Sequence, residues 1–187
     1  MSGLQTLFSK KERPYTGVEL RPHFLLTELG LKGSGIAAFI GPCRVKTEHL
    51  VDWEDRLAGD RIEAGLMVHF LGEFFGATLR EGVLWQRLLS AMVQESFASY
   101  GGPRAERRGD DIFIAERKLS VSIVTASPVS QLLHLGINID PVGAPVPAIG
   151  LRELGIEPDG WIEAILNRIS NEWTDIEWAC AKVRPVV

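Results

Sequence analysis

The stretch RRGDDIFIAERKLSVSIVTASPVSQLLHLGIN, Arg107 to Asn138, sets the fold class. Within it, Ile112 and Ile114 alternate with Phe113 and Ala115. After a short turn through Glu116 and Arg117, Leu119, Val121 and Ile123 alternate with Ser120, Ser122 and Val124. Side chains alternate between faces along a strand, so period two on both sides of a short connection predicts a β-hairpin. Gln131 to Ile139 predicts a further strand. Parallel partners need a crossover of a dozen residues or more, and none is present here, so these strands pair antiparallel.

Working outward, Val83 to Tyr100 predicts a helix. Leu84, Leu88 and Met92 form one apolar row, with Trp85, Leu89 and Val93 beside it, and Gln86, Ser90 and Gln94 make the polar face. Gly101-Gly102-Pro103 stops it. A second long helix is expected from Pro158 to Ala181, burying Ile162, Ile165, Leu166, Ile169, Trp173 and Ile176. Gly65 to Phe75 and Gly35 to Ile40 predict buried strands, the latter closed by Gly41-Pro42. Thr47 is the expected cap of a helix running through Arg56. Arg21 to Leu29 predicts a short helix with Pro22 in its first turn and Gly30 ending it. The first dozen residues are expected to be loosely held. The fold class is α/β of the α+β type: a mixed, largely antiparallel sheet, including the Ile112–Ala126 strand pair, flanked by helices. No repeat or linker divides the chain, so residues 1–187 are expected to form one domain.

Composition narrows the function classes. Apolar residues make up 45% and charged residues 24%, with a formal net charge of -4. Nucleic-acid binding through bulk electrostatics is disfavoured, because phosphate neutralisation needs clustered Lys and Arg. Only a local patch, Arg104 to Arg108, offers that alternative. Cys43 and Cys180 have no paired spacing, which argues against a disulfide framework or a zinc site. No signal-like or membrane-spanning run stands out, so a cytoplasmic, membrane-free protein is expected.

The candidate functional residues fall mainly in the opening stretch. Arg107 and Arg108 precede Asp110 and Asp111. Guanidinium pairs suit carboxylate or phosphate, although local pairing with neighbouring carboxylates is the simpler role. Lys118 is expected to share a face with Ser120 and Ser122, where it could stabilise an anionic group or merely guard a strand edge. His69 and His134 lie in apolar strands, where hydrogen-bonded core histidines are common. Gly33-Ser34-Gly35 offers a small-residue loop without a phosphate-binding frame. No metal site is expected.

The same stretch resembles the centre of the biotin protein ligase, lipoate protein ligase and octanoyltransferase superfamily. The likeness lies in Arg117-Lys118, the strand Leu119 to Ile123, and His134 through Gly136-Ile137-Asn138, with Met67-Val68-His69-Phe70 upstream. Within that group the chain is similar to a small, mainly prokaryotic domain-of-unknown-function family. The shared features are Arg-Arg-Gly-Asp-Asp, Arg-Lys-Leu-Ser, the Ser127–Ser130 turn, and an expected helix near Gly150 to Gly155. The resemblance implies a class II aminoacyl-tRNA synthetase-like fold that binds a small acid or nucleotide. It further implies possible ligase or acyltransferase chemistry, ATP with a divalent cation as cofactor candidates, and Lys118 as the catalytic residue. Arg107, Arg108, Asp110, Asp111, Arg117, Ser120, Ser122, His69, His134, Gly136 and Asn138 are the implied ligand contacts. A non-catalytic binding module and a homodimer stay open. Pro147-Ala148-Ile149-Gly150 stands where octanoyltransferases carry a Pro-Cys-Gly nucleophile loop, so a thioester route is not expected.

Overall fold

A computed structural model describes residues 3–186. Eight strands and four α-helices follow in the order β1 (Gln5–Ser9), α1 (Phe24–Leu29), β2 (Gly35–Val45), α2 (Trp53–Ala58), β3 (Ile62–Phe75), α3 (Leu79–Ser99), β4 (Glu106–Arg108), β5 (Asp111–Ile114), β6 (Arg117–Lys118), β7 (Ser120–Ala126), β8 (Ser130–Asp140) and α4 (Pro158–Ala181). The main sheet has five strands in the order β1-β2-β3-β8-β7, and β4-β5-β6 form a smaller sheet. Only β1–β2 is parallel; every other strand pair is antiparallel. The fold class is therefore the mixed, largely antiparallel sheet flanked by helices expected from the sequence. Among the described residues no helix is long and apolar enough to cross a membrane.

The sheet is apolar on both faces. Val68, Phe70 and Phe74 of β3, with Leu133 and Leu135 of β8, pack against Leu89, Val93 and Phe97 of α3 and Trp161, Ile165 and Ile169 of α4. Trp161 is fully buried, and its indole N–H donates to Ser96 Oγ at 2.8 Å, which satisfies the one polar atom it brings inside. The opposite face, with Ala37, Phe39, Met67 and Leu71, is covered by Tyr15 and by Phe24 and Leu25 of α1.

Several expectations are corrected. The N-terminal segment is not loose from residue 5 on. It adds β1 to the open edge of β2, where unpaired backbone groups await a partner; residues 1 and 2 lie outside the described residues. Strand β2 runs through Gly41-Pro42 to Val45 rather than stopping there. A register shift between Gly41 and Cys43 accommodates the proline, and a Cβ at Gly41 would meet the Arg13 carbonyl oxygen at 1.7 Å. Thr47 opens only a three-residue 3-10 turn. The following helix, α2, is capped by Asp52, whose carboxylate accepts from the N–H groups of Glu54 and Asp55. Helix α1 starts at Phe24, after Pro22, because His23 takes a left-handed φ of 62°.

Helix α3 begins earlier than expected, at a capping box in which Thr78 and Glu81 satisfy each other's backbone N–H groups. Its buried side includes Gln86 and Ser90, which the sequence pattern put on the polar face, whereas Leu84 is exposed. Gln86 faces inward because it has polar partners there, Asp110 and Ser122. Gly82 lets α3 come close to the sheet; a Cβ there would lie 3.1 Å from Val124 and 3.2 Å from Gln131.

The predicted Ile112–Ala126 strand pair is divided between the two sheets. Leu119 is the switch point. Its N–H donates to the Ile112 carbonyl at 2.8 Å, while its carbonyl accepts from the Asn138 N–H at 2.9 Å. The chain therefore leaves the β5–β6 hairpin and joins β8 as β7 within one residue.

The hairpin turn residues Ala115 and Glu116 both have positive φ, 47° and 65°. Type I′ turns require this, and Asn-Gly supplies it with less strain. The double change Ala115→Asn and Glu116→Gly is expected to raise stability by about 1 kcal/mol in urea unfolding, the relief of strain exceeding the added chain entropy. Limited proteolysis is expected to yield no pair of separately stable fragments split within residues 101–110. Recovery of such a pair would refute a single cooperative unit.

Candidate functional site

A cavity of about 430 Å³ opens where the β5–β6 hairpin, the β7–β8 pair, the segment from Val45 to Asp55 and the loop after β8 meet. Small-molecule sites fall mostly between roughly 300 and 1,000 Å³. Of the residues singled out from the sequence, Asp110, Asp111, Lys118, Ser120, Ser122, His134 and Asn138 line it. Arg107, Arg108, Arg117, His69 and Gly136 do not.

Lys118 is held by its backbone. Its N–H donates to the Pro147 carbonyl at 2.9 Å, and its own carbonyl accepts from the Ile149 N–H at 3.1 Å and from Asn138 Nδ2 at 3.3 Å. The side chain reaches Asp111 Oδ2 at 2.9 Å, with the lysine and aspartate side chains 29% and 30% exposed. One ammonium donor is thus engaged and others remain for a ligand. The two serine hydroxyls are already committed. Ser120 Oγ accepts from the Ile112 N–H at 2.8 Å, and Ser122 Oγ lies between Gln86 and Asp110.

The arginines stand outside, on exposed strands. Arg108 is gripped by Glu106 and Glu116, and these partners raise its already high pKa. Arg117 forks onto Glu153. Arg107 donates to the Gly109 carbonyl. For Arg107 and Arg108 the partners are local, the simpler of the two roles open from the sequence, whereas the Arg117 partner lies 36 residues along the chain. The Gly33–Gly35 loop turns the chain into β2, and Ser34 Oγ accepts from the Phe75 N–H at 3.0 Å. Gly136 has a packing reason: a Cβ there would meet Met67 Cε at 2.7 Å.

Behind the cavity lies a histidine pair. His69 Nε2 is 3.1 Å from the Gly41 carbonyl, and His69 Nδ1 is 3.0 Å from His134 Nε2. Burial lowers both imidazole pKa values, that of His69 to about 3, so both rings are neutral. A carbonyl only accepts, which places the His69 proton on Nε2. His69 Nδ1 must then accept, so His134 Nε2 donates, and His134 Nδ1 is left as a bare acceptor. Tyr15 stacks on His134 with ring centroids 3.8 Å apart. Burial pushes its phenol pKa up, with Cys43 and Glu19 adding to the effect, so the hydroxyl keeps its proton.

Sequence reasoning missed much of the lining. His49, Asp52 and Asp55 come from a segment read only as a helix, and Tyr15, Asp60 and Glu63 from stretches between the expected elements. The one available signal was Asp52, a good helix cap set before Trp53. Six carboxylates (Asp52, Asp55, Asp60, Glu63, Asp110 and Asp111) face the cavity against Lys118 and Arg61. Asp55 has a raised pKa, from burial first and then from the neighbouring Asp52 and Asp60. Ala148 lines the cavity and bridges to Lys118. Cys43 is sealed in the core, where burial pushes its thiol up to about 12, and Cys180 is exposed on α4. Neither cysteine brings a thiolate to the cavity.

The family model described as Domain of unknown function (DUF366) matches residues 4–184. The chain belongs to the DUF366 family. It is 31% identical to an uncharacterized protein of Methanocaldococcus jannaschii over 98% of this chain and 86% of that protein. A protein of unknown function from Pyrococcus horikoshi has the same structure, with a TM-score of 0.93 and 37% identity over 98% of this chain and 100% of that one. The biotin protein ligase of Aquifex aeolicus, solved in complex with biotin and ATP, matches with a TM-score of 0.56 and 18% identity over 93% of this chain and 71% of the ligase. DUF366 thus has the fold of the biotin/lipoate protein ligase superfamily.

The histidine pair of this DUF366 chain generates an acid-stability prediction. Each imidazole has a folded pKa below its ordinary 6.5, so its neutral form stabilises the fold fully above that value. That contribution is lost as pH falls from 6.5 towards about 3 for His69. At about pH 5 the loss from His69 should reach roughly 2 kcal/mol, with His134 acting in the same direction. The expected observation is a falling urea midpoint while both ring resonances stay neutral in NMR spectra. A ring of either residue titrating near 6.5 would refute the assignment.

Proposed function

We propose that the cavity binds a small carboxylic acid through Lys118 and presents its carboxyl group for activation or transfer. The observation that carries this reading is the lysine itself. Its backbone is tied to Asn138 and to the Pro147–Ile149 loop, and its ammonium faces a ligand-sized cavity. A structurally similar ligase binds biotin, itself a carboxylic acid. Lys118 would orient the acid and stabilise negative charge developing on its carboxyl oxygens.

The residues present do not fit a bare triphosphate. The cavity holds more carboxylates than cations, the hairpin arginines lie outside it, and among the described residues no group of three or more His, Cys, Asp or Glu could hold a metal ion. A second reading, binding without turnover, is favoured by Ala148, which leaves the loop after β8 without a nucleophile.

Removing Lys118 tests the proposal. A thermal-shift screen of octanoate, lipoate and biotin selects the acid, and calorimetry then compares the native chain with Lys118→Ala. A charge-assisted hydrogen bond contributes on the order of 1.5–3 kcal/mol, so affinity should fall roughly 10-fold to 150-fold. Thermal stability should barely change, because the Lys118–Asp111 pair is partly solvated. Lys118→Arg should rescue only in part, since a planar fork replaces a point charge. Unchanged affinity in Lys118→Ala would leave the lysine a mere ion-pair partner of Asp111.

A further inference from the structure

Two independent features of the cavity ask for the same chemistry. The first is its interior polar atoms. Tyr15, His134 and Asn138 line it while only 3%, 3% and 6% exposed. His134 Nε2 is taken by His69, and Asn138 Nδ2 by the Lys118 carbonyl. Among the described residues no hydrogen bond reaches His134 Nδ1, Asn138 Oδ1 or the Tyr15 hydroxyl, and none of these atoms is sealed away from the cavity. The tautomer argument makes His134 Nδ1 an acceptor, and the amide orientation makes Asn138 Oδ1 another. A buried acceptor without a donor costs stability unless water or a ligand supplies one.

The second feature is charge. Of the six lining carboxylates, Asp111 is matched by Lys118, Asp110 by Arg87 and Glu63 by Arg61. Asp52 caps α2. Asp55 is half-buried and, among the described residues, makes no ion pair; burial first, then Asp52 and Asp60, raise its pKa against the opposing pull of Lys118. A simple anionic acid entering here would meet a surplus of negative charge, partly shielded from solvent, where repulsion is stronger than in water.

We propose that the ligand of this cavity carries a protonated amine as well as a carboxylate, the amine answering the surplus of carboxylates around Asp55 and the unpartnered acceptors of the lining. This rests on the acid-binding reading above and names the substrate class for it: amine-bearing carboxylic acids. Lys118 meets the carboxylate and the unmatched carboxylates meet the ammonium, so the two charges of the ligand offset the two signs of the site.

Three probes of equal chain length separate the two proposals: caproate, ε-aminocaproate and n-hexylamine, titrated calorimetrically into the native chain, Asp55→Asn and Lys118→Ala. The expected result is that ε-aminocaproate binds at least about tenfold more tightly than caproate, as one charge-assisted hydrogen bond provides. Asp55→Asn, a near-isosteric change at a half-buried position, should shrink that margin from both sides, weakening ε-aminocaproate and, with one repelling charge gone, tightening caproate. Caproate binding as tightly as ε-aminocaproate overturns the amine while leaving acid binding standing. Equal binding of n-hexylamine and ε-aminocaproate, both indifferent to Lys118→Ala, sustains the amine and overturns the acid. If neither amine binds more tightly than about 1 mM, the inference fails.

Discussion

The antiparallel pairing of β3 with β8 is the constraint on which the rest depends. It runs from Leu66–Asp140 to Phe75–Ser130 through the middle of the main sheet. Both strands are buried on both faces, so a slip of one residue would exchange two apolar sets fitted to different neighbours. In this register Leu71 faces His134, His69 faces Gly136 and Met67 faces Asn138. Val68 and Phe70 then point to α3 and α4, while His69 and Met67 point to Tyr15 and the cavity side. The glycine opposite His69 leaves room for Met67 and for the His134 ring.

From that register the site is assembled by backbone more than by side chains. The Asn138 N–H holds Leu119, its amide holds Lys118, and its carbonyl accepts from Leu151. One residue of β8 thus ties the lysine-bearing turn and the loop after β8 to the sheet. Buried groups that are fully hydrogen-bonded resist displacement, because breaking one bond strands a partner away from water. The position of Lys118 is consequently a property of the sheet, not of a mobile loop. Towards the other end of the same strand pair, on the same face, Glu73 accepts from the His23 N–H and from Ser130 Oγ, tying the start of α1 to the sheet.

Electrostatics then sets the cavity apart from a phosphate site. The fold is shared with a ligase that binds biotin and ATP, but Arg108 and Arg117 of this chain turn outward to Glu106, Glu116 and Glu153. Carboxylates line the cavity instead. Fold and site chemistry are separable: a common scaffold positions backbone, and a few side chains decide which charges are welcome.

The sequence by itself determined the strand run from Ile112 to Ile139, the long α4 and the fold class, because those features rest on local periodicity. It also singled out Lys118, His134 and Asn138, which the structure brings to one cavity. Tertiary structure alone decided the rest. The partner switch at Leu119 depends on two sheets competing for one residue's N–H and C=O, which no local pattern records. The inward turn of Gln86 reversed a helical-face reading because its partners, Asp110 and Ser122, lie 24 and 36 residues further along the chain. The acidic lining from Asp52 to Glu63 carried no signal of a site in the sequence, since a side chain's neighbours across a cavity are set by how distant segments close around it.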